Sequence, residues 1–344
     1  MRRSLAVTLA VTALPVAAVA DKTKAGNGKA GNSNATSKVA STKLDDKSAL
    51  LAPVTHDNLT IFPVITTSAK IPSADYLVLD EGMKSKQVQV LEKDRDGTVN
   101  ELTIRNTSGK PLFLMAGEVV IGGKQDRIIG KNTIVAARAS ETVPVFCVEH
   151  GRWNGRKAEF ASAGAMAHTE LRKKANFSDQ SEVWSEVSAK NAKRKLENGT
   201  DTYRGVAQSA TVVKSIAGYQ KAFAGKLGKL GGKERQIGFV VALGGQVVAI
   251  ETFGSPKLFK KFEQKLLRSY YVEAIDAARN PDGAPAAPPK PADVTSFASK
   301  AKAAKRKTVL EKKSGKTVQF EDKDMKGTAV EAEDGAAVYE GAYH

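Results

Sequence analysis

Between His56 and Val148 the chain is cut into short apolar runs by turn-forming residues, and this spacing limits the fold more than any other feature. The runs are Leu59–Ile65 (LTIFPVI), Tyr76–Leu79, Val88–Leu91, Glu101–Asn106, Pro111–Met115, Thr133–Val135 and Thr142–Val148. Most are rich in β-branched or aromatic residues, and turn clusters such as Thr107-Ser108-Gly109-Lys110-Pro111 separate them. Short strands of this kind bury themselves only against one another, which predicts an antiparallel sandwich or open barrel. Pro63 takes an amide donor out of the first run and reads as the mark of a sheet edge.

Past Trp153 the period changes. Gly151 to Asp179 is irregular and polar, then Gln180–Leu196 and Tyr203–Leu230 read as helices. In the second, Val206, Ala210, Val213, Ala217, Gln220, Phe223, Leu227 and Leu230 recur at three-and-four spacing, mostly apolar. Ile237–Leu243 and Gln246–Phe253 flank Gly244-Gly245 as a hairpin. Ser255-Pro256 opens a helix with Leu258, Phe259, Phe262, Leu266 and Leu267 on one side. A Pro-rich linker (PDGAPAAPPKP) precedes a short Lys/Ala helix and closing strands near Thr308–Leu310, Thr317–Phe320 and Ala336–Tyr339. The predicted class is α+β: an antiparallel β-rich N-terminal half (sandwich or open barrel), a helix-hairpin-helix C-terminal half and a strand-bearing tail. The expected divisions are 1–20, 21–50, 51–155, 156–279 and 280–344.

One cysteine, Cys147, rules out an internal disulfide, so an apolar core must hold the fold. The N-terminus has the order of a secretory signal: Arg2-Arg3, an apolar stretch from Leu5 to Val16, and Ala18-Val19-Ala20 before Asp21. Cleavage after Ala20 and a periplasmic or secreted product are expected, with no transmembrane segment left. Asp21 to Leu50 is Lys/Gly/Asn/Ser/Thr-rich and reads as a disordered tether.

The net charge is +16, and Lys190 to Arg235 carries eleven Lys/Arg against three acids. An exported basic protein meets anionic envelope components: lipid headgroups, lipopolysaccharide and acidic polymers. Aromatic residues do not interleave these cations, which argues against a nucleic-acid groove. A solvated helical face explains the same charges.

Two clusters carry candidate chemistry. In GEVVIGGKQDRIIG, Gly117 to Gly130, a double glycine breaks a strand and delivers Lys124, Gln125, Asp126 and Arg127. Lys124 and Arg127 could hold an anion, and Glu118 and Asp126 could serve as acid and base or bind a hard cation. It is not a Walker A loop, because no Ser/Thr follows Lys124. A hairpin with a charged turn explains the segment equally well. In VPVFCVEHGRW, Val143 to Trp153, Cys147 is flanked by apolar residues and reads as a core thiol. Cys147, Glu149 and His150 lack the spacing of a metal site, so none is assigned. Arg152 beside Trp153 suits a planar or anionic ligand, or a cation–π latch. No motif names a cofactor.

These residues bring a resemblance. The block resembles the ARG and rhodanese-phosphatase-superfamily-associated protein domain family. Its pattern is similar to Gly-Glu, then Gly-Lys-Gln-x-Arg, a variable strand and Pro-Val-x-Cys-Val-Glu-x-Gly-Arg-Trp. Gly117, Glu118, Gly123, Lys124, Gln125, Arg127, Pro144, Cys147, Val148, Glu149, Gly151, Arg152 and Trp153 match it, and His150 stands where Gln is more usual. The resemblance extends through Gln180–Trp184 and Ser269-Tyr270, from His56 to Ala278. The family is named for its neighbours, ADP-ribosylglycohydrolases and a phosphatase class, and implies no particular activity.

Glu118, Lys124, Gln125, Asp126, Arg127, Glu149, Arg152 and Trp153 are therefore expected to converge on one surface. Three functions fit: binding of a small anionic, nucleotide-like ligand through Lys124, Arg127 and Arg152; hydrolysis with Glu118 or Glu149 as general base; or contact between the basic helix and acidic envelope polymers.

Overall fold

The computed structural model describes residues 40–71, 73–93, 100–151, 159–195, 201–277 and 284–344, with backbone alone at 207 and 208. Strands β1 (Thr42–Lys43), β2 (Ser48–Leu50), β3 (Val54–His56), β4 (Leu59–Thr66) and β5 (Leu77–Val78) precede helix α1 (Leu79–Lys84). Then come β6 (Val88–Glu92), β7 (Glu101–Asn106), β8 (Leu112–Leu114), β9 (Glu118–Gly122), β10 (Arg127–Ile129), β11 (Thr133–Val135), β12 (Ser140–Cys147) and β13 (Phe160–Met166). Helices α2 (Thr169–Phe177), α3 (Gln180–Lys193), α4 (Tyr203–Gln208) and α5 (Ala210–Leu227) lead to β14 (Gln236–Leu243) and β15 (Gln246–Phe253). Helices α6 (Pro256–Asp276) and α7 (Pro291–Ala303) and strands β16 (Lys305–Lys312), β17 (Gly315–Asp322), β18 (Met325–Ala332) and β19 (Ala337–Tyr343) complete the chain.

The class is mixed α+β with large antiparallel sheets. Among the described residues the largest has ten strands in the order β1-β2-β4-β14-β15-β19-β18-β17-β16, with β3 also on β4. A six-stranded sheet runs β13-β9-β10-β12-β7-β6, and a three-stranded one β11-β8-β5. In the last, β5 and β8 are parallel.

The apolar runs of β4 and β14 are continuous because the ten-stranded sheet is covered on both faces. Leu59, Ile61, Phe239 and Val241 join the cluster that holds Phe259, Phe262 and Leu266 of α6 and Ile216 and Phe223 of α5. Phe62, Val64 and Val240 point the other way, to Val294, Phe297 and Ala301 of α7. A third core packs Val90, Ile104, Val120 and Val143 of the six-stranded sheet on Leu112, Leu114 and Val135 of the three-stranded one. Helix α6 begins as expected: Ser255 accepts the Leu258 amide, with Pro256 in the first turn.

Several readings need revision: β13 and α2 lie within Gly151–Asp179, which reads as irregular, and the single helix expected over Tyr203–Leu230 breaks at Ser209 into α4 and α5. Residues 42–50, assigned to the tether by composition, include β1 and β2, anchored because Leu44 and Leu50 are buried against Phe62 and Val64. Pro63 is not at a sheet edge, since β4 has β14 on one side and β2 and β3 on the other. Its carbonyl accepts Leu51 N at 2.9 Å, between the pairings of β3 and β2. The proline's missing N–H therefore falls where the neighbouring strand is interrupted, and no ladder bond is lost. The closing strands are integral to the main sheet: β19 pairs with β15 along Ala249–Phe253.

Candidate functional site

Strands β9 and β10 form an antiparallel hairpin with Arg127 opposite Val120, and the signature polar residues occupy its turn. The turn is held by its own Asp126 and by Glu92 of β6. Gly122 N donates to Asp126 Oδ1 at 3.1 Å, and Lys124 N donates to Glu92 Oε1 at 2.8 Å. Gly123 adopts φ +50°, and a Cβ there would stand 2.2 Å from the Phe160 ring. Gly117, at φ +90°, is pressed the same way by the Arg172 side chain, 2.3 Å from a Cβ position. Both signature glycines are thus required by backbone conformation and by close packing.

The second cluster lies directly against the first. Strand β10 pairs with β12, setting Arg127 opposite Cys147, so no strand intervenes. Val148 N donates to Asp126 O at 3.0 Å, and Asp126 N donates to Glu149 Oε2 at 3.2 Å. Tyr203 N donates to Val148 O, which brings the start of α4 to the same place. There Arg204 Nη2 donates to both Asp126 oxygens, at 2.9 and 2.7 Å. Asp126 is buried, whereas the Arg204 side chain is 42% exposed. Gln180 of α3 closes the far side: Cys147 N donates to its Oε1, and its Nε2 donates to Cys147 O.

The structure brings some of these residues together and holds others apart. Asp126 and Glu149 bond to each other, with Lys124, Gln125 and Arg127 in the same turn and its β10 stem. Gln125, Asp126, Arg127 and Glu149 are buried, and Lys124 is half-buried. Gln125 Oε1 has no hydrogen-bond partner among the described residues. Arg152 and Trp153 lie outside the described residues. Glu118 stands apart, at the other end of β9, roughly 13 Å away at about 3.3 Å per strand residue. Its Oε1 accepts Lys265 Nζ at 2.6 Å and its Oε2 accepts Met115 N at 2.9 Å. Lys265 also meets Asp80 at 2.7 Å. Burial pushes the Glu118 carboxyl up against the pull of Lys265. Burial opposes charge on Lys265 too, but Glu118 and Asp80 hold its ammonium above the usual lysine range. Burial pushes the Cys147 thiol up to about 11, with Arg127 opposing, so it stays protonated at neutral pH.

Arg204 was one of eleven cations in its segment, and nothing local singled it out. The segment's charge is also partly consumed inside the fold. Lys190 meets Glu273 and Asp276, Arg194 meets Asp276, and Arg235 donates to Thr66 O and Ser68 O. Lys214, Lys221, Lys226 and Lys229, on α5 and just beyond it, are exposed.

A second polar centre escaped the sequence reading. Glu251 of β15 receives Arg172 Nη1 and Nη2 at 2.6 and 2.9 Å. The Tyr339 and Tyr343 hydroxyls donate to its Oε1 at 2.6 and 3.0 Å, and the Tyr270 hydroxyl donates to Oε2. Arg172 Nε donates to Ser269 Oγ. Burial would raise the Glu251 carboxyl, but Arg172 and the hydroxyls hold it below the usual range. Glu251 and Arg172 are sealed from solvent, so the cluster joins α2, α6, β15 and β19 and offers no access to a substrate. The one acid in the apolar run VVAIETF was its visible sign. Among the described residues no group of three His, Cys, Asp or Glu could hold a metal ion, and no helix is long and apolar enough to cross a membrane.

No curated protein and no solved structure matches the chain. The family model does, over residues 47–342, and so takes in the C-terminal strands beyond the Ala278 limit of the sequence resemblance. The protein is a member of the ARG and Rhodanese-Phosphatase-superfamily-associated Protein domain family.

Proposed function

We propose that this protein is an exported member of its family that binds a small anionic, nucleotide-like ligand where the β9–β10 turn meets Glu149 and Arg204. Arg204 is the observation that carries the reading. Asp126 grips its guanidinium through Nη2 alone, and its exposed side chain keeps a nitrogen edge for a phosphate or carboxylate. Gln125 lies buried in the same turn, and its Oε1 becomes an acceptor for a ligand hydroxyl once the turn opens. Lys124, half-buried in the same turn, and the buried Arg127 add positive charge. The Met1–Ala20 leader supports export.

Titration calorimetry of the chain from Asp21 with inorganic phosphate, AMP and ADP-ribose tests the site. Arg204→Ala should weaken binding at least tenfold, the scale of a lost charge-assisted contact. Gln125→Leu, which leaves the Asp126–Arg204 pair intact, should weaken ADP-ribose more than phosphate. Unchanged affinity in both variants, or no binding of any probe at millimolar concentration, overturns the proposal. N-terminal sequencing from the native host tests export: a chain beginning at Asp21 is expected, and one beginning at Met1 refutes it.

The hydrolase reading keeps one supporting observation, the raised carboxyl of Glu118. Against it, Glu118 is 1% exposed and both its oxygens are held by protein donors. Phosphoester and glycoside substrates, with Glu118→Gln and Glu149→Gln as controls, decide between the two. The exposed lysines along α5 support a further role in meeting an acidic envelope polymer; such binding must weaken as salt rises.

A further inference from the structure

A cleft of about 530 Å³ opens between the three-stranded sheet and two turns of the C-terminal strands. One wall is apolar, lined by Tyr76, Ile134 and Ala137. The other is charged, with Lys313 between β16 and β17 and Glu333 and Asp334 between β18 and β19. These turns leave the same end of the sheet because β17 and β18 pair with Gly315 opposite Ala332. Ser314 Oγ donates to Ile134 O at 2.6 Å and fastens the first turn to β11. The cleft is thus a fixed seam between two sheets, within the size range of small-molecule sites, about 300–1,000 Å³.

Its charges set it apart from the strands beside it. Lys312 and Lys316 are paired, with Glu141 and Glu331. Lys313, Glu333 and Asp334 make no ion pair among the described residues. Tyr76 is buried, and burial together with the Asp334 carboxylate pushes its hydroxyl up, so phenol and acid share the cleft. Exposed turn charges are ordinary in themselves. Opposite charges on adjacent turns, facing an apolar wall with an aromatic ring, match a particular ligand chemistry.

We propose that this cleft binds a small zwitterion with an apolar side chain, either a free apolar amino acid or a short apolar peptide. The ligand's ammonium meets Glu333, Asp334 and the face of Tyr76. Its carboxylate meets Lys313, and its side chain covers Ile134 and Ala137. Screened charges and an open mouth make affinity modest, with a dissociation constant on the order of 0.1–1 mM.

The test is calorimetry or NMR titration of the chain from Asp21 with L-phenylalanine, L-phenylalanyl-L-phenylalanine and the uncharged N-acetyl-phenylalanine amide. At least one zwitterion should bind, and the neutral analogue at least fivefold more weakly. Tighter binding of the dipeptide identifies a peptide site, and equal or weaker binding an amino-acid site. Ala137→Trp, at an exposed position, should fill the cleft and abolish binding; Lys313→Ala and the double variant Glu333→Gln/Asp334→Asn should each weaken it at least fivefold. No response to either zwitterion at 10 mM, equal binding of the neutral analogue, or affinity untouched by all three variants overturns the proposal. Arg204→Ala should leave this binding unchanged, which separates the cleft from the site at the β9–β10 turn; loss of zwitterion binding in that variant would also overturn it.

Discussion

Replacing Glu251 by Gln removes one charge from a place that water does not reach. Arg172 would remain fully buried, its guanidinium facing a neutral amide instead of a carboxylate. The new NH2 group cannot accept. Placed at Oε2 it opposes Arg172 Nη2 and the Tyr270 hydroxyl, and placed at Oε1 it opposes Arg172 Nη1 and the donors Tyr339 and Tyr343. Breaking a buried pair in this way costs about 3–5 kcal/mol. At about 2.1 cal/mol/K per residue, a compact unit spanning Val39–His344 shifts by ~1.5 °C per kcal/mol, so the melting temperature should fall by roughly 5–8 °C. Urea denaturation at pH 7, followed by circular dichroism, measures the loss directly. The double variant Arg172→Met/Glu251→Leu removes both charges and should recover part of it, since an apolar replacement of a buried pair is often near neutral. A Glu251→Gln protein within about 1 kcal/mol of the parent, or a double variant less stable than either single one, would refute the reasoning.

Other outcomes follow from the same geometry. Burial opposes ionisation of Glu273, but the His168 ring, Lys190 and the Glu170 amide outweigh it and hold the carboxyl at about 2. Its contribution, roughly 3 kcal/mol, is therefore present above about pH 4.5 and lost as pH falls toward 2; Glu273→Gln should flatten that acid limb in urea titrations at stepped pH. Gly123→Ala forces a Cβ into the Phe160 ring at positive φ and should cost ~1–3 kcal/mol, measured by the same denaturation. The Cys147 thiol should react with a disulfide reagent at pH 8 only after denaturant is added, and rapid native labelling would show that it is accessible. At the exposed outer edge of the ten-stranded sheet, Lys305→Val with Lys307→Val should produce higher-order species on size exclusion, because charge on an edge strand blocks pairing with a second copy.

Local pattern made some of this fold readable. Leu258, Phe259, Phe262 and Leu266 lie on one helical face behind a Ser-Pro start, and that helix forms where the spacing puts it. The alternation in Glu101–Asn106 likewise becomes β7. What local pattern could not carry was pairing across long sequence distances. Nothing near Ser48 announces a partner at Thr66, and nothing near Tyr339 announces Phe253. Pro63 misled because the proline rule concerns the neighbouring strand, and the gap between β3 and β2 is a property of the assembled sheet. The candidate site divides the same way. Gly123, Asp126 and Glu149 stood out by composition and spacing. Burial of the charged ones, and the arrival of Arg204 from 78 residues away, are tertiary facts. Glu118 shares their motif but sits at the other end of a strand, because adjacency in a motif is not adjacency in space.

The signature turn and Arg204 are proposed to form one ligand site. A crystal structure of the chain from Asp21 soaked with ADP-ribose tests it most directly. Phosphate density is expected against the Nε and Nη1 edge of Arg204, with a ribose hydroxyl within hydrogen-bond distance of Gln125 Oε1 and an Asp126–Arg204 pair that stays closed. Density confined to another part of the surface, or an empty turn at millimolar ADP-ribose, would contradict it.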